Sequence, residues 1–172
     1  MARVSTRENK NIYQLTRENL KLTRETASEL LESTPPERIE KIENERSFPH
    51  PDEVLTMAEK YKKPDLCNYY CANQCPIGQE YVPEVKIKDL SQIVLEMLAS
   101  LNSMNRRKER LIEITADGKI SDDELEDFLY IQEELERISI TVETLQLWAE
   151  KMLAAGVIDE ARYEAYRSRK KT

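Results

Sequence analysis

The sequence predicts an all-α protein, and three observations support that fold class. Only three of the 172 residues are glycine, and no stretch alternates β-branched and polar residues between turn signals as a strand would. Apolar residues instead recur at intervals of three and four through most of the chain. The apolar fraction of 40% is sufficient for a packed core in one medium domain or two small ones.

Residues 1–10 are expected to form a basic N-terminal arm, and the first predicted helix follows in residues 11–20. That helix would bury Ile12, Leu15 and Leu20. The whole chain has a net charge of −7, which argues against a polyanionic partner. Residues 1–24 nevertheless carry a local excess of four positive charges, so an interaction with nucleic acid is compatible with this end of the chain.

Two short helices joined by a tight turn are predicted in residues 22–46. Thr23 is the expected N-cap of the first helix, whose inward face would hold Ala27, Leu30 and Leu31. In the turn, Thr34 is followed by two prolines and, three residues on, by Glu37, which together indicate a capping box. The second helix should therefore begin at Pro35 or Pro36.

The second helix of this pair would face inward through Ile39 and Ile42, which are spaced three residues apart. Its outward face would be the surface that a partner meets. The side chains predicted on that face are Glu37, Arg38, Glu40, Lys41, Glu43 and Asn44.

Residues 11–71 resemble the N-terminal domain of the Xre and Cro-type, phage-repressor-like, helix-turn-helix transcriptional regulators. The family pattern is an Arg-Glu pair, then Leu-(Ser/Thr)-x-Glu-x-Ala-Ala-x-x-Leu, then a recognition helix that ends Ile-Glu-Asn-Gly-(Lys/Arg). This chain has Arg17-Glu18, then LTRETASELL from Leu22, then IENER from Ile42. The resemblance covers less than half of the chain.

The chain departs from the family pattern in and after the turn. Glu32 replaces the turn glycine, Ser33 replaces an apolar turn residue, and Glu45 replaces the final glycine. One extra residue must also be accommodated around Pro35 and Pro36.

The resemblance implies a five-helix DNA-binding domain in residues 11–78 with double-stranded DNA as its partner. Arg38 and Lys41 would reach guanine edges or phosphates, and Arg24 and Thr34 would contact phosphate. The outward glutamates would accept from cytosine or repel the DNA backbone. The complete set of implied DNA-contacting residues is Arg24, Thr34, Glu37, Arg38, Glu40, Lys41, Asn44 and Arg46.

A fourth helix, opened by Pro51, is predicted to bury Val54, Leu55, Ala58 and Tyr61. The chain continues with a short fifth helix from Leu66 to about Tyr70, and residues 79–88 are predicted to be a linker.

Three cysteines, Cys67, Cys71 and Cys75, follow one another at intervals of four. An odd number of cysteines without a secretory signal argues against a disulfide framework. On a continuous helix the three thiols would share one face, which suits zinc or an iron–sulfur cluster. The alternative is that they are small buried apolar residues, because the spacing matches no strong zinc pattern and His50 is the only histidine.

Residues 89–172 are predicted to be a helical C-terminal domain built around a coiled-coil-like hairpin. The first stripe comprises Leu90, Val94, Met97, Leu101 and Met104. The second stripe comprises Phe128, Ile131, Leu135, Ile138, Val142, Leu145, Ala149 and Met152. The hairpin is expected to form a homodimer through a separate apolar strip of Ile140, Leu147 and Trp148.

The turn between the two long helices, residues 113–124, only partly matches a calcium-binding loop, because Glu113 and Thr115 replace the expected first ligands. Asp117-Gly118 followed by a cap at Ser121 and Glu124 explains it as a helix junction.

Catalytic motifs are missing, since no phosphate-binding glycine loop, nucleophile elbow or second histidine occurs. We therefore expect a protein that is not an enzyme.

No apolar run approaches the ~18 residues that cross a bilayer, and the polar N-terminus is unlike a secretory signal. A cytoplasmic protein without a membrane partner is expected. The sequence predicts a homodimeric, sequence-specific transcriptional regulator whose effector is unknown. A metal or redox sensor built on the cysteines is a separate hypothesis that can coexist with this one. The alternative is a helical protein-interaction module that has lost DNA binding.

Overall fold

The computed structural model describes residues 9–169, and this part of the chain contains ten α-helices and no strand. The predicted all-α class is confirmed. Residues 1–8 lie outside the described residues, and with them most of the predicted basic arm. The helices are α1 (Ile12–Asn19), α2 (Arg24–Leu31), α3 (Pro36–Glu43), α4 (Pro51–Lys60), α5 (Asp65–Asn73), α6 (Pro76–Tyr81), α7 (Leu90–Arg106), α8 (Lys108–Thr115), α9 (Leu125–Ala154) and α10 (Glu160–Arg169).

The chain divides into two compact units. The first unit comprises residues 1–84 and 149–172, and the second comprises residues 85–148. The boundary at residue 84 lies inside the segment predicted to be a linker, residues 79–88. Residues 149–172 group with the first unit, although the sequence pattern assigned them to the C-terminal domain.

One apolar cluster forms the core of the first unit and draws on α1 to α5. Its fully or nearly buried members are Tyr13, Ala27, Leu31, Ile39, Ile42, Val54, Met57, Ala58, Tyr61 and Leu66. The predicted inward positions on α3 are therefore confirmed, as are Ala27 and Leu31 on α2. The helical period identifies these positions because α2 and α3 are short and each presents a single face to the core.

The predicted inward face of α1 is wrong at two of its three positions, since only Ile12 packs against the core. Leu15 and Leu20 are both 45% exposed, whereas Tyr13, Thr16 and Arg17 are buried. The Tyr13 ring packs edge-on against Tyr69, with 6.2 Å between ring centroids, and its hydroxyl donates to Gln74 Oε1 at 2.9 Å. Polar side chains occupy this face because each finds a partner inside the unit, which removes the cost of burying them.

Two other predicted core leucines also lie on the surface. Leu30 on α2 is 37% exposed and Leu55 on α4 is 63% exposed. Met57, which was not predicted, is buried in place of Leu55. On α2 and α4, therefore, fewer of the apolar residues are buried than the helical spacing predicts.

Residues 32–35 connect α2 to α3 and differ from the predicted capping box. Thr34 is 2% exposed, and its hydroxyl has no hydrogen-bond partner among the described residues. Pro35 is the N-cap of α3, so no side chain caps this helix start. The helix begins at Pro36, within the predicted range, because proline fixes a backbone angle that suits the first turn.

A helix break separates the cysteines, which corrects the expectation of one continuous helical face. Cys67 and Cys71 lie on α5, whereas Cys75 is the N-cap of the separate helix α6. The two helices approach closely at Gly78, where an added Cβ would lie only 2.1 Å from the backbone oxygen of Cys71. Helix α6 was not predicted, and it occupies the start of the expected linker.

In the second unit, α7 and α8 run antiparallel to the first part of α9 and form a hairpin. The Ser103 and Tyr130 hydroxyls are hydrogen-bonded at 2.9 Å. Near the turn, Arg107 donates to Asp127 Oδ1 at 3.0 Å and its guanidinium lies 3.9 Å from the centroid of the Tyr130 ring. Arg110 donates to the other Asp127 oxygen at 2.7 Å.

The helices of the hairpin face each other through different residues from those predicted. Leu90, Val94 and Leu101 are 41–43% exposed, while Ile93 is fully buried. On α9, Ile131 is buried as expected, but Leu135 and Val142 are 51% and 40% exposed. Polar side chains that the apolar stripe does not include are buried instead: Glu134, Thr141 and Thr144.

A cleft of about 610 Å³ lies between α7 and α9 within the second unit. Its α7 side is lined by Glu96 and by small side chains, and its α9 side mainly by polar side chains together with Ile140: Ala99, Ser100 and Ser103 face Tyr130, Glu134, Arg137 and Thr141. The buried polar side chains of α9 find their partners within α9: Arg137 donates to Glu134, and the Thr141 and Thr144 hydroxyls donate to the backbone carbonyls four residues earlier. Polar residues can therefore occupy the buried side of α9 while the leucines lie outside.

Glycine turns precede and follow α9. Gly118 has a φ of 71° in the turn before it, where Ser121 donates to the carboxylate of Glu124 from both its backbone N–H and its hydroxyl. Gly156 has a φ of 69° after its last turn, the left-handed backbone with which helices commonly end. Among residues 9–169, no helix has both the length and the apolar character needed to span a bilayer.

Candidate nucleic-acid interface

The outward side of α3 keeps only part of the predicted DNA-contacting set at the surface. Glu37 and Lys41 are exposed, as is Arg46 just beyond the helix. Glu40 and Asn44 are half-buried, and the Asn44 amide donates to Glu40 Oε1 at 3.3 Å. These five residues form what we call the α3 face.

Arg38 was predicted to point outward as a donor for a base, but it is engaged within the domain. Its guanidinium makes two hydrogen bonds to the Glu53 carboxylate, each at 2.7 Å, and also donates to the Ser47 hydroxyl and the Phe48 carbonyl. Only 20% of the Arg38 side chain is exposed. Arg38 therefore ties α3 to the loop that follows it and to the start of α4.

Glu53 completes this cluster from the first turn of α4. Burial by itself raises the pKa of Glu53, but the hydrogen bonds from Arg38 and from the backbone N–H of His50 outweigh it and lower the pKa. The same carboxylate raises the pKa of Arg38. Folding therefore stabilises the ionised form of the Glu53 carboxylate.

Arg24, the second predicted phosphate contact, donates to Glu43 Oε2 at 2.9 Å. Glu43 is 1% exposed and also accepts two hydrogen bonds from the buried guanidinium of Arg17. The carboxylate thus joins α1, α2 and the end of α3. Burial by itself lowers the pKa of Arg17, but the hydrogen bond and charge of Glu43 reverse this effect and raise it.

The outward placement predicted for Glu43 is wrong, and its own spacing contained the signal. Glu43 follows Ile39 by four residues and Ile42 by one, so all three belong to one inward arc of the helix. The burial of Glu43 was not predicted, because a single glutamate without an evident partner is usually a surface residue. Thr34 is also misplaced, since its buried hydroxyl does not reach the surface where a phosphate would lie.

The remaining surface of the α3 face has a mixed charge. Arg24 and Arg38 are committed to Glu43 and Glu53, so Lys41 and Arg46 are its exposed cations. Glu37 lies exposed beside them. Any DNA bound here would be met by two cations per copy, which is a small number for tight binding.

The three cysteines are all half-buried and unbridged. Burial raises the pKa of the Cys67 and Cys71 thiols, and the neighbouring thiols Cys71 and Cys75 raise them further. Metal binding requires the deprotonated form. Within residues 9–169 no group of three or more histidine, cysteine, aspartate or glutamate side chains has an arrangement that could hold a metal ion. The zinc or iron–sulfur site and the redox role stay predictions.

Comparisons of this chain with protein-family models, with curated proteins and with solved structures found no match.

Proposed function

We propose that this protein is a sequence-specific DNA-binding transcriptional regulator that acts as a homodimer, with α3 as its recognition helix. The observation that supports this most is the backbone at two positions. Glu32 and Glu45 stand where the resembling family has its turn glycine and its final glycine, and both have a positive φ, of 61° and 58°. Such a backbone favours glycine and agrees with the turn geometry of that family; Lys21 and Lys62, which follow α1 and α4, also have a positive φ.

The packing of α2 and α3 is a second support. The helices are eight residues each, and a four-residue turn joins them. Both are fixed from within by apolar residues and by the Glu43 carboxylate. A short helix held in this way can present its outer side chains to a groove without moving, which is what direct reading of base edges requires.

The contact set for this function is smaller than the sequence indicated. Lys41 and Arg46 are the proposed donors to guanine edges or phosphates, and Asn44 and Glu40 lie beside them as polar groups able to read bases. Arg24 and Arg38 take a supporting role, since they hold α2, α3 and α4 together. An α3 face with two exposed cations would contribute few phosphate contacts alone, so two copies on one inverted repeat are part of the proposal.

Two matched charge-removing variants, Lys41→Gln and Lys108→Gln, test the proposal. Lys41 lies on the α3 face and Lys108 begins α8 in the second unit, and both are exposed. Fluorescence anisotropy with a random-sequence duplex should show low-salt binding by the wild type. Lys41→Gln should weaken that binding and reduce the slope of log affinity against log salt by about one. Lys108→Gln should change neither, and equal effects of the two would contradict the assignment of α3.

A protein-interaction module is a second candidate, favoured by the acidic side chains on the outer surface of α3. Glu37 is exposed and Glu40 is half-buried beside a single lysine, and glutamates repel a phosphate backbone. Such a surface would suit a basic protein segment. Failure of the wild type to bind any duplex at low salt would favour this candidate.

A further inference from the structure

The outer face of α7 is unusually free of charge for this protein. Charged residues make up 34% of the chain, yet Glu96 is the only one between Leu90 and Asn105. That glutamate is not on the outer face, because it lines the cleft towards α9 and pairs with Lys88 at 2.7 Å. The rest of the helix surface is apolar or uncharged.

Large apolar side chains on α7 are exposed along the whole of this face. They are Leu90 at 41%, Val94 at 42%, Leu95 at 67%, Leu98 at 52% and Leu101 at 43%. Four of them, Leu90, Val94, Leu98 and Leu101, recur at steps of four, four and three and so form one ridge. A helix of 17 residues is about 25 Å long, so the ridge is continuous over a large part of the hairpin.

The second helix of the hairpin adds to the exposed apolar surface. Leu135 and Val142 on α9 are 51% and 40% exposed and lie one heptad apart. Apolar surface arranged in a heptad on two antiparallel helices is the surface with which helical hairpins associate into four-helix bundles. A monomer would leave this surface in water, at a cost of about 25 cal/mol for each Å².

We propose that the α7 ridge is a homodimer interface, and that its occupant is the same ridge of a second copy. Charge gives the reason for choosing a second copy. A dimer with twofold symmetry brings each residue near its own counterpart, so a charged patch would repel itself, whereas this ridge carries no charge to oppose the contact. A partner for this ridge must offer an uncharged apolar helix with matching steps of three and four, and α7 of a second copy supplies such a helix.

This inference rests on the homodimer of the proposed function, and it replaces the strip predicted from sequence. Leu147 is 7% exposed, and Ile140 and Trp148 are half-buried, so they present much less surface. The replacement moves the dimer contact from the last part of the hairpin to the outside of α7.

Sedimentation of the full-length protein without DNA tests the interface, using Leu98→Glu, Leu98→Gln and the control Leu55→Glu. Leu55 is 63% exposed on α4 in the first unit, so it receives the same substitution on a surface outside the ridge. The wild type and Leu55→Glu should be dimers at micromolar concentration. Because each substitution occurs twice in the dimer, Leu98→Glu should raise the dimer Kd by at least about 100-fold and Leu98→Gln by about 10-fold or more.

Two results would overturn the interface. A wild-type monomer at micromolar concentration would leave the ridge without a second copy, and a dimeric Leu98→Glu protein with unchanged helical circular dichroism would place the contact elsewhere. The circular dichroism spectrum also separates lost association from lost folding, and Leu98→Gln provides a variant without introduced charge. Neither measurement involves DNA, so failure of the DNA-binding proposal would leave these results intact.

Discussion

At the scale of single residues, the first unit depends on two carboxylates that accept several hydrogen bonds each. Glu43 joins Arg17 and Arg24, and Glu53 joins Arg38 and the N–H of His50. Removing one partner of such a pair is costly, because it leaves a poorly solvated charge behind. The arginines that the sequence assigned to DNA are for this reason also stability determinants.

Arg38→Ala should destabilise the protein by about 2 kcal/mol, since hydrogen bonds to charged groups contribute ~1.5–3 kcal/mol. Lys41→Ala, three residues further along α3, should change the free energy of unfolding by less than about 0.5 kcal/mol, as is usual for surface positions. Urea unfolding followed by circular dichroism measures both. Equal stabilities of the two variants would show that Arg38 is not a structural clamp.

The stabilisation by Glu53 should depend on pH in a defined direction. Because folding lowers the pKa of Glu53, its contribution is present above the unfolded-state value of about 4.3 and is lost as the pH falls through the lower, folded-state value. The difference in unfolding free energy between wild type and Arg38→Ala should therefore shrink from pH 7 to pH 3. A difference that is constant over this range would contradict the Arg38–Glu53 assignment.

Glu32→Gly and Glu45→Gly should each stabilise the protein by about 0.5–1 kcal/mol, because glycine adopts a positive φ without steric cost. Glu32 gives up an ion pair with Lys60 at 3.1 Å, but its side chain is 77% exposed, so that pair contributes little. Glu37→Gly is the control, and it should destabilise because Glu37 lies within α3. Thermal unfolding would contradict the backbone argument if all three substitutions lowered stability.

At the scale of helices, the sequence predicted where most elements of the first unit occur but not every face. The period of apolar residues located α2 and α3 and their inward isoleucines. It failed on α1, where Tyr13 and Arg17 are buried through internal partners that lie far away along the chain. Hydrogen bonds between residues that are distant in sequence leave no local pattern. The sequence therefore predicts burial of Leu15, because it is apolar, and not of Tyr13 or Arg17.

The spacing of the cysteines also did not indicate the helix break before Cys75. Pro76, at the next position, favours a helix start, but the regular spacing of the cysteines predicts a continuous helix through it. In the second unit the heptads located α7 and the first part of α9 and predicted the wrong rotation. Buried polar side chains on α9, Glu134 among them, lie where the pattern predicts leucines, because the buried arc of each helix depends on how the two helices pair.

Gly78→Ala should destabilise the contact between α5 and α6 by more than about 1 kcal/mol. The added methyl group would lie 2.1 Å from the backbone oxygen of Cys71, and backbone cannot move aside as a flexible side chain would. Chemical denaturation compares this variant with Ala72→Gly, which enlarges no contact. Unchanged stability of Gly78→Ala would show that α6 does not pack as described.

Cys67 and Cys71 should react slowly with alkylating reagents at pH 7, because burial and the neighbouring thiols raise their pKa values and little thiolate is present. The rate of iodoacetamide modification in a Cys75→Ser protein, compared with that of an unstructured cysteine peptide, measures this. Modification as fast as that of the peptide would contradict the shielded position of these thiols on α5.

At the scale of the whole molecule, the proposed DNA-binding unit would bind weakly as a single copy, and the proposed dimer of the second unit would provide two copies. The α3 face offers only two exposed cations, so each copy would contribute few phosphate contacts. Pairing through the α7 ridge would give two recognition helices and twice the contacts, and affinity for DNA rises steeply with the number of phosphates neutralised. The proposed dimer would therefore compensate for the small number of exposed cations on the α3 face.

Selection from a random pool of duplex DNA with the full-length protein tests the central claim most directly. We predict an enriched motif that is an inverted repeat, with half-sites one helical turn, ~34 Å, apart. A Leu98→Glu protein should fail to enrich the paired half-sites under the same conditions. Sequencing that finds no motif enriched by the folded, dimeric wild-type protein would contradict the claim that this chain reads DNA.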